Sequence, residues 1–355
     1  MRLSVAKSTL ESLLINLQPF LEKRDVTQIT SHVLLTASNG KLIAKATDHE
    51  IGLTIQTEHV NIQLDGQATA NGKKLLDIIR ILKEGDITLE TVEETLHITQ
   101  QNSKFKLPMF NRLDFPSFPQ EEGLPSIAID SARLIQMFKK VSPAIDTNNP
   151  KHELNGALLN IKENEIDVVG TDTRRLAIGK IPNASNATLS MIIPKKAIME
   201  IQKLFFDQIA IHYDDTNLII TTPDYYFFTR LIGGKYPDYE RIIPKSVKHS
   251  FTLPKNAIVE AIKQITIISQ EIRMVFDTNT ITFRSLGEEN SEAMTEIPFQ
   301  SGLEEKFALA VNSRYLLDFL AHVEGEEFTM GLNEPNLPFM VQNGDFSTVI
   351  MPIIL

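Results

Sequence analysis

A chain of 355 residues, with 35 Lys and Arg against 45 Asp and Glu and a formal net charge of −10, is long enough for two or three domains with real cores. Its 42% hydrophobic and 23% charged residues exclude a collagen-like or disordered chain, and neither a bilayer-spanning apolar stretch nor the apolar core of a signal peptide is present. The absence of Cys excludes disulfides, thiolate zinc sites, iron–sulfur clusters and a cysteine nucleophile, which suits a cytoplasmic protein.

The first predicted element is an amphipathic helix, KSTLESLLINLQ from Lys7, with Leu10, Leu13, Leu14 and Leu17 at helical spacing. HVLLTASNGKLIAKATD then alternates around Asn39-Gly40, the signature of a hairpin. ATANGKKLLDIIRILK from Ala68 reads as a short strand leading into a second helix capped by Asn71. TLHITQQNSKFKLPMF closes the group as a strand pair, and the Pro- and charge-rich PSFPQEEGLPS at 116 to 126 is a connector.

The same four features then return in the same order. SARLIQMFKKV from Ser131 is a helix with Leu134, Met137, Phe138 and Val141 on one face, and GALLNIKENEIDVVGTD is a hairpin around Glu163-Asn164. MIIPKKAIMEIQKLFF from Met191 is a strand and helix opened by Pro194, and LIITTPDYYFFTRLI is a strand pair whose YYFF run from Tyr225 packs across strands. After the connector IPKSVKHS at 243 to 250 comes KNAIVEAIKQITI from Lys255, with Ile258, Ala261, Ile262 and Ile265 in register. IRMVFDTNTITFRS turns at Thr278-Asn279, FALAVNSRYLLDFLAHV carries a helix capped by Asn312, and PFMVQNGDFSTVIMPII ends the chain.

Corresponding helices recur at intervals of about 120 residues, too long for a solenoid unit and right for a repeated domain. The expected architecture is α+β: three tandem copies of one domain, each with two helices packed on antiparallel sheet, divided as 1–121, 122–246 and 247–355.

Taken as a total, −10 argues against a polyanion partner, because such affinity rests on Lys and Arg displacing counterions from phosphates. The charge is unevenly placed, however. The six helical segments (7–18, 73–83, 131–141, 195–206, 255–267 and 313–323) hold 14 Lys and Arg and 5 acids, a net of +9 that leaves −19 for the rest. The cations are Lys7, Lys73, Lys74, Arg80, Lys83, Arg133, Lys139, Lys140, Lys195, Lys196, Lys203, Lys255, Lys263 and Arg314. Helix propensity favours Glu about as much as Lys and does not explain the scarcity of acids there. A segregated field draws a polyanion to one surface. Few aromatics are interleaved and no recognition helix is evident, so the contacts expected are to phosphates and independent of sequence.

Seven motifs in order make a resemblance specific: TDHE at 47 to 50, LDFPSFP at 113 to 119, ELNGALL at 153 to 159, VVGTDTRRLAI at 168 to 178, IIPKKAIMEI at 192 to 201, GGKYPDYERIIPK at 233 to 245 and the terminal VIMPIIL. Over its whole length the chain resembles the bacterial DNA polymerase III beta subunit, the sliding clamp family. The resemblance implies a homodimeric ring around double-stranded DNA, with helices lining the hole and sheets forming the wall. It implies a non-catalytic processivity factor of the replicative polymerase, without cofactor or metal, in the cytoplasm at the nucleoid. Partners would be the DNA polymerase III alpha subunit, the clamp loader through its delta subunit, other DNA polymerases, ligase and mismatch-repair proteins, all docking short linear motifs.

Family DNA contacts fall on Arg24, Lys196, Asn148 and Asn149; with the helix cations Lys73, Arg80, Lys139, Lys140, Lys195, Lys203 and Lys263 they form the expected DNA-binding set. The loop departs from the family pattern, since His152 and Glu153 stand where relatives carry two tyrosines. The implied peptide pocket comprises Leu154, Thr171, Thr173, Arg174, Arg175, Leu176, Pro237, Ile242, Val349 and Met351. Thr173 and Arg174 replace Gly and His of many relatives, which implies a different peptide preference. The implied dimer interface sets Lys74, Lys104, Phe105 and Leu107 against Ile267, Ile268 and the acids from Glu288 to Glu305.

On the residues alone, a peptide-binding scaffold in solution and a three-domain enzyme remain alternatives. Asp48 with Glu50, or Asp172 beside Arg174 and Arg175, could form an acid–base or phosphate site. Their equivalent places after a strand, as Thr-Asp, are explained more simply by turn hydrogen bonding. The eight His are scattered without metal-ligand spacing, and GLNEPN and LIGGK lack the spacing of a phosphate loop. Asp146, Asp214 and Asp215 read as solvated loop acids.

Overall fold

The computed structural model describes residues 1–25, 27–183, 185, 187–287 and 291–354. Six α-helices occur among them: α1 (Lys7–Leu17), α2 (Gly72–Ile81), α3 (Ser131–Val141), α4 (Lys195–Leu204), α5 (Lys255–Ile265) and α6 (Ser313–Leu320). α1, α3 and α5 bury the apolar stripes read from their periodicity: Leu10, Leu13, Leu14 and Leu17 in α1, Leu134, Met137, Phe138 and Val141 in α3, and Ile258, Ala261, Ile262 and Ile265 in α5. Side-chain caps hold three N-termini, with Asn71, Asp130 and Asn312 accepting from the backbone N–H groups of Lys74, Arg133 and Arg314. Pro194 ends a strand instead of opening α4, which starts one residue later at Lys195. A tertiary amide has no N–H to leave unpaired at that junction.

The chain divides into two compact units, Met1–Ala128 with Lys203–Leu231, and Ile129–Gln202 with Ile232–Leu355. In the first, strands Asn61–Leu64, Arg2–Ala6, Asp86–Val92, Thr95–Gln100 and Ser103–Pro108 lie in that order in a five-stranded sheet. An eight-stranded sheet runs Ser126–Ile127, Ala210–Tyr213, Asn217–Thr221, Tyr225–Arg230, Ile51–Thr57, Lys41–Thr47, His32–Ser38 and Gly66–Asn71. Helices α1 and α2 pack on each other, and α1 also lies against the strands Arg2–Ala6 and Lys41–Thr47.

The second unit repeats the plan. Its eight-stranded sheet runs Leu189–Pro194, Gly156–Ile161, Glu165–Thr171, Arg175–Pro182, Phe346–Ile350, Phe339–Asn343, Glu327–Leu332 and His249–Pro254, and its four-stranded sheet Met294–Pro298, Thr280–Ser285, Glu271–Phe276 and Phe307–Asn312. Every strand pairing in the four sheets is antiparallel. The expected hairpins are present, and at the first of them Asn39 and Gly40 have φ of 50° and 76°, the left-handed pair that a two-residue turn demands.

These units differ from a division into three sequence repeats. The strand Tyr225–Arg230, from the central repeat, pairs with Ile51–Thr57 of the first, in the register Phe227 opposite Leu53 and Phe228 opposite Gly52. A Cβ at Gly52 would lie 2.2 Å from the Phe228 ring, so only glycine admits that ring. Likewise Arg175–Pro182 pairs with Phe346–Ile350 of the third repeat. Periodicity shows which residues form a strand and leaves open which edge that strand joins.

Candidate functional site

The Thr-Asp turns come first, because one of them shapes a cavity. Asp48 Oδ1 accepts from the backbone N–H groups of Glu50 and Ile51 at 3.0 Å, and Asp172 Oδ1 from those of Arg174 and Arg175 at 3.0 Å. Thr47 and Thr171 donate to the carbonyls of Ile51 and Arg175, and the third residues, His49 and Thr173, have φ of 75° and 72°. Both acids therefore organise turns, as an Asx motif does. Asp172 Oδ2 also accepts from Arg175 Nε at 3.0 Å. The Arg175 guanidinium, 5% exposed, also bonds Asp318 and the Pro143 carbonyl and stacks 4.6 Å from the Tyr315 ring centroid. It is fully engaged in packing.

Within the second unit this turn borders a cavity of about 690 Å³, lined by Thr171, Thr173, Arg175, Leu176, Arg241, Ile242, Ile243, Pro244, Lys245, Asn333, Leu337, Pro338, Val349 and Met351. Its floor is formed by Leu176 and Val349, cross-strand partners that belong to a buried cluster with Leu154, Leu158, Val169, Ile178, Ile192, Tyr236 and Tyr239. On its rim Ile242, Leu337 and Met351 are 44%, 49% and 39% exposed. Aliphatic groups held open to water beside a few polar ones suit a short segment with apolar anchors.

Seven of the ten positions carried over from the resemblance line this cavity. Leu154 does not: it is 2% exposed, inside the cluster beneath. Arg174 and Pro237 are exposed and lie outside the lining. Arg241, Ile243, Pro244, Lys245, Asn333, Leu337 and Pro338 were not foreseen. Four of them sit in the GGKYPDYERIIPK motif itself, and a leucine inside the proline-rich turn NEPNLP was the signal for the others.

The helices as bounded here hold 13 cations and 5 acids, with Lys83 falling beyond α2. Lys73, Arg80, Lys139, Lys196, Lys203 and Lys263 are exposed, as is Arg24. Two lysines of the expected DNA-binding set have partners within the protein. Lys140 is 8% exposed, donates to Glu324 Oε1 at 2.8 Å and lies 5.8 Å from the Phe346 ring centroid, since it flanks the buried stripe of α3. Lys195, at the start of α4, folds back onto the Ile145 carbonyl and Thr147, and burial lowers its pKa. Asn148 is exposed. Asn149 is spent on its own loop, donating to Asp146 Oδ2 at 2.9 Å and to Asn155 Oδ1 at 2.8 Å; with the Thr147 N–H, it holds the Asp146 carboxyl below the usual range.

At the expected dimer positions, Lys74 and Lys104 are exposed and Phe105 is half-buried on the edge strand Ser103–Pro108. Leu107 is 7% exposed and stands opposite Leu96 on the neighbouring strand. Ile267 and Ile268 follow α5 with 84% and 44% exposure, and Glu292, Glu296, Glu304 and Glu305 are exposed. Glu288 lies outside the described residues, as does Leu355 of the terminal motif. Among the described residues no group of three His, Asp or Glu has metal-binding geometry, and no helix is long and apolar enough to cross a membrane.

Comparison with known proteins covers the whole chain. Family models for the N-terminal, central and C-terminal domains of the DNA polymerase III beta subunit match residues 1–119, 128–238 and 240–354. A beta sliding clamp of Helicobacter pylori is 39% identical, covering 100% of both chains, and one of Pseudomonas putida is 28% identical over 94% of this chain and 95% of the relative. The Helicobacter pylori beta clamp solved with a bound DNA ligase peptide superposes with a TM-score of 0.94 at 38% identity, covering 100% of both chains. The DNA polymerase III subunit beta of Pseudomonas aeruginosa gives 0.92 at 25%, again with 100% of both chains covered.

Proposed function

The chain belongs to the DNA polymerase III beta subunit family, the beta sliding clamps, and from that premise we propose that two copies close into a ring around duplex DNA and carry partner proteins along it. The family is non-catalytic, a processivity factor in DNA replication. The observation that carries the docking part is the open apolar cavity with Leu176 and Val349 at its base and Ile242 and Met351 at its rim. A segment with two apolar anchors would seat there, as the ligase peptide binds the Helicobacter pylori relative.

Exposed helix cations, Lys73, Arg80, Lys139, Lys196, Lys203 and Lys263 with Arg24, would meet phosphates without reading bases. Phe105, Lys74 and Lys104 of one copy would face Ile267, Ile268 and the exposed acids of the other, covering an otherwise open sheet edge. The functional domains are taken as 1–121, 122–246 and 247–355, and the working place as the nucleoid. DNA polymerase III alpha subunit, the loader's delta subunit, other polymerases, ligase and mismatch-repair proteins would compete for the one cavity per subunit.

The test is topological. The protein is loaded on nicked circular DNA by a clamp loader with ATP, and the DNA is then linearised. Release only after cutting is expected; equal retention on circular and linear forms would refute encirclement, and retention independent of the loader would favour a simple DNA-binding scaffold.

A further inference from the structure

One wall of the docking cavity is a short segment, Arg241 to Lys245, and three of its residues face two ways. Ile243, Pro244 and Lys245 line the apolar cavity and also a second cavity of about 300 Å³, whose other lining includes Lys162, Glu165, Asp167, Lys180, Tyr239 and Glu240. The wall is thus thin, with space behind it. A partition of this kind holds its place only through what anchors its ends.

At one end the anchor is buried and polar. The Tyr239 hydroxyl donates to Asp167 Oδ2 at 2.6 Å and accepts from Asn160 Nδ2 at 3.1 Å. Lys162 Nζ donates to the same Asp167 oxygen at 2.7 Å and to Glu240 Oε1 at 2.7 Å, with its ammonium 5.7 Å from the Tyr239 ring centroid. Asp167 is 1% exposed, and its Oδ1, which accepts no hydrogen bond among the described residues, lies 3.8 Å from the Lys180 ammonium. At the other end Asn333, itself in the lining, donates to the Ser246 carbonyl at 3.0 Å and accepts from the Lys248 N–H at 2.9 Å. An apolar core would have been satisfied by Phe at 239 and an aliphatic residue at 167. A fully desolvated carboxylate with directional partners fixes one geometry, at a cost in stability that simple packing would not carry.

We propose that Asp167, Lys162 and Tyr239 are positioning residues for partner binding: they set the place of the Arg241–Lys245 wall and hence which apolar anchors the docking cavity accepts. None of them lies in the cavity lining. The proposal rests on the docking reading above. Loosening the cluster lets the wall shift toward the space behind it, so the cavity fits a bulky anchor less closely and rejects a small one less strongly.

The experiment uses the full chain, with the DNA ligase peptide that binds the Helicobacter pylori relative and an analogue whose largest apolar residue is alanine. In Tyr239→Phe and in Lys162→Met, the peptide's Kd is expected to rise about five- to tenfold, and the affinity ratio between peptide and analogue to shrink at least threefold. Asp167→Asn, which keeps an acceptor for Tyr239, should be milder than Asp167→Ala. An unchanged ratio in both Tyr239→Phe and Lys162→Met overturns the proposal. So does an affinity loss matched by loss of folded protein at constant ratio. Met351→Ala separates this from failure of the docking reading: if it leaves the peptide's Kd unchanged, the cavity is not the docking site, whereas weakening by Met351→Ala with no effect of Tyr239→Phe sinks the positioning role alone.

Discussion

Leu176 and Val349 stand opposite each other on adjacent antiparallel strands, one from the central repeat and one from the third, and together they make the base of the docking cavity. At 2% and 1% exposure they belong to the core as much as to the site. Leu176→Ala is therefore expected to destabilise by about 2–4 kcal/mol, read by denaturant unfolding. Met351→Ala and Ile242→Ala, on the exposed rim, should leave the unfolding midpoint nearly unchanged and weaken the ligase peptide by about 1–3 kcal/mol. Calorimetric titration showing equal affinity in both rim variants would remove them from the site.

The helix cations should separate by burial. Replacing Lys139 or Lys196 with alanine is expected to lower the slope of log K against log salt for duplex DNA by about one each. Lys140→Ala should leave that slope alone and lower stability by about 1 kcal/mol, because its ammonium is already held by Glu324. A slope change in Lys140→Ala equal to that in Lys139→Ala would contradict this division.

His32 gives the first unit a pH dependence. It is 3% exposed, stacked 4.1 Å from Phe110, and burial, with Lys74 nearby, lowers its pKa to about 4. Because the folded value lies below the unfolded one, the neutral ring is favoured on folding. The contribution is complete above the unfolded pKa, near 6.5, and is lost as pH falls toward about 4. A loss on the order of 2 kcal/mol across that window is expected from this site, and His32→Gln should flatten it. Chemical denaturation at intervals between pH 7 and pH 4 would show whether the two proteins differ.

The paired turns make an internal control. Asp48→Ala removes an acceptor for two backbone N–H groups near the surface, a change of about 1 kcal/mol. Asp172→Ala removes the same pair and also a carboxylate partner of the buried Arg175, so about 2–4 kcal/mol is expected. Comparable losses at the two positions would mean that Asp318, the Pro143 carbonyl and the Tyr315 ring suffice to hold Arg175.

Local features were legible in the sequence: the stripes of α1, α3 and α5, the Asn71 and Asn312 caps, the Asn39-Gly40 hairpin and the Thr-Asp turns follow from spacing and from short-range hydrogen bonding. Partner choice was not. That Tyr225–Arg230 joins Ile51–Thr57 depends on the fit of Phe228 over Gly52, and pattern alone does not encode which sheet edge a strand will meet. The charge segregation survived, yet individual lysines did not sort by position in the helix. Lys140 and Lys139 are neighbours in sequence, and only the approach of Glu324 and Phe346 tells them apart. The cavity's missing wall lay in a motif already noticed, but a proline-bounded segment shows no periodicity from which to read its facing.

The ladder between Tyr225–Arg230 and Ile51–Thr57 also means that covalent seams and hydrogen-bonded seams fall at different places in the first unit, as joints are staggered in brickwork. Cleaving the connector at Glu121 or Glu122 would sever the chain between two repeats without opening the sheet that binds them. The two fragments should stay together through gel filtration and part only when the sheet itself melts. Conversely, a fragment ending at the first repeat would present Ile51–Thr57 as a raw, sticky border. The genetic module and the mechanical module of this protein are different objects.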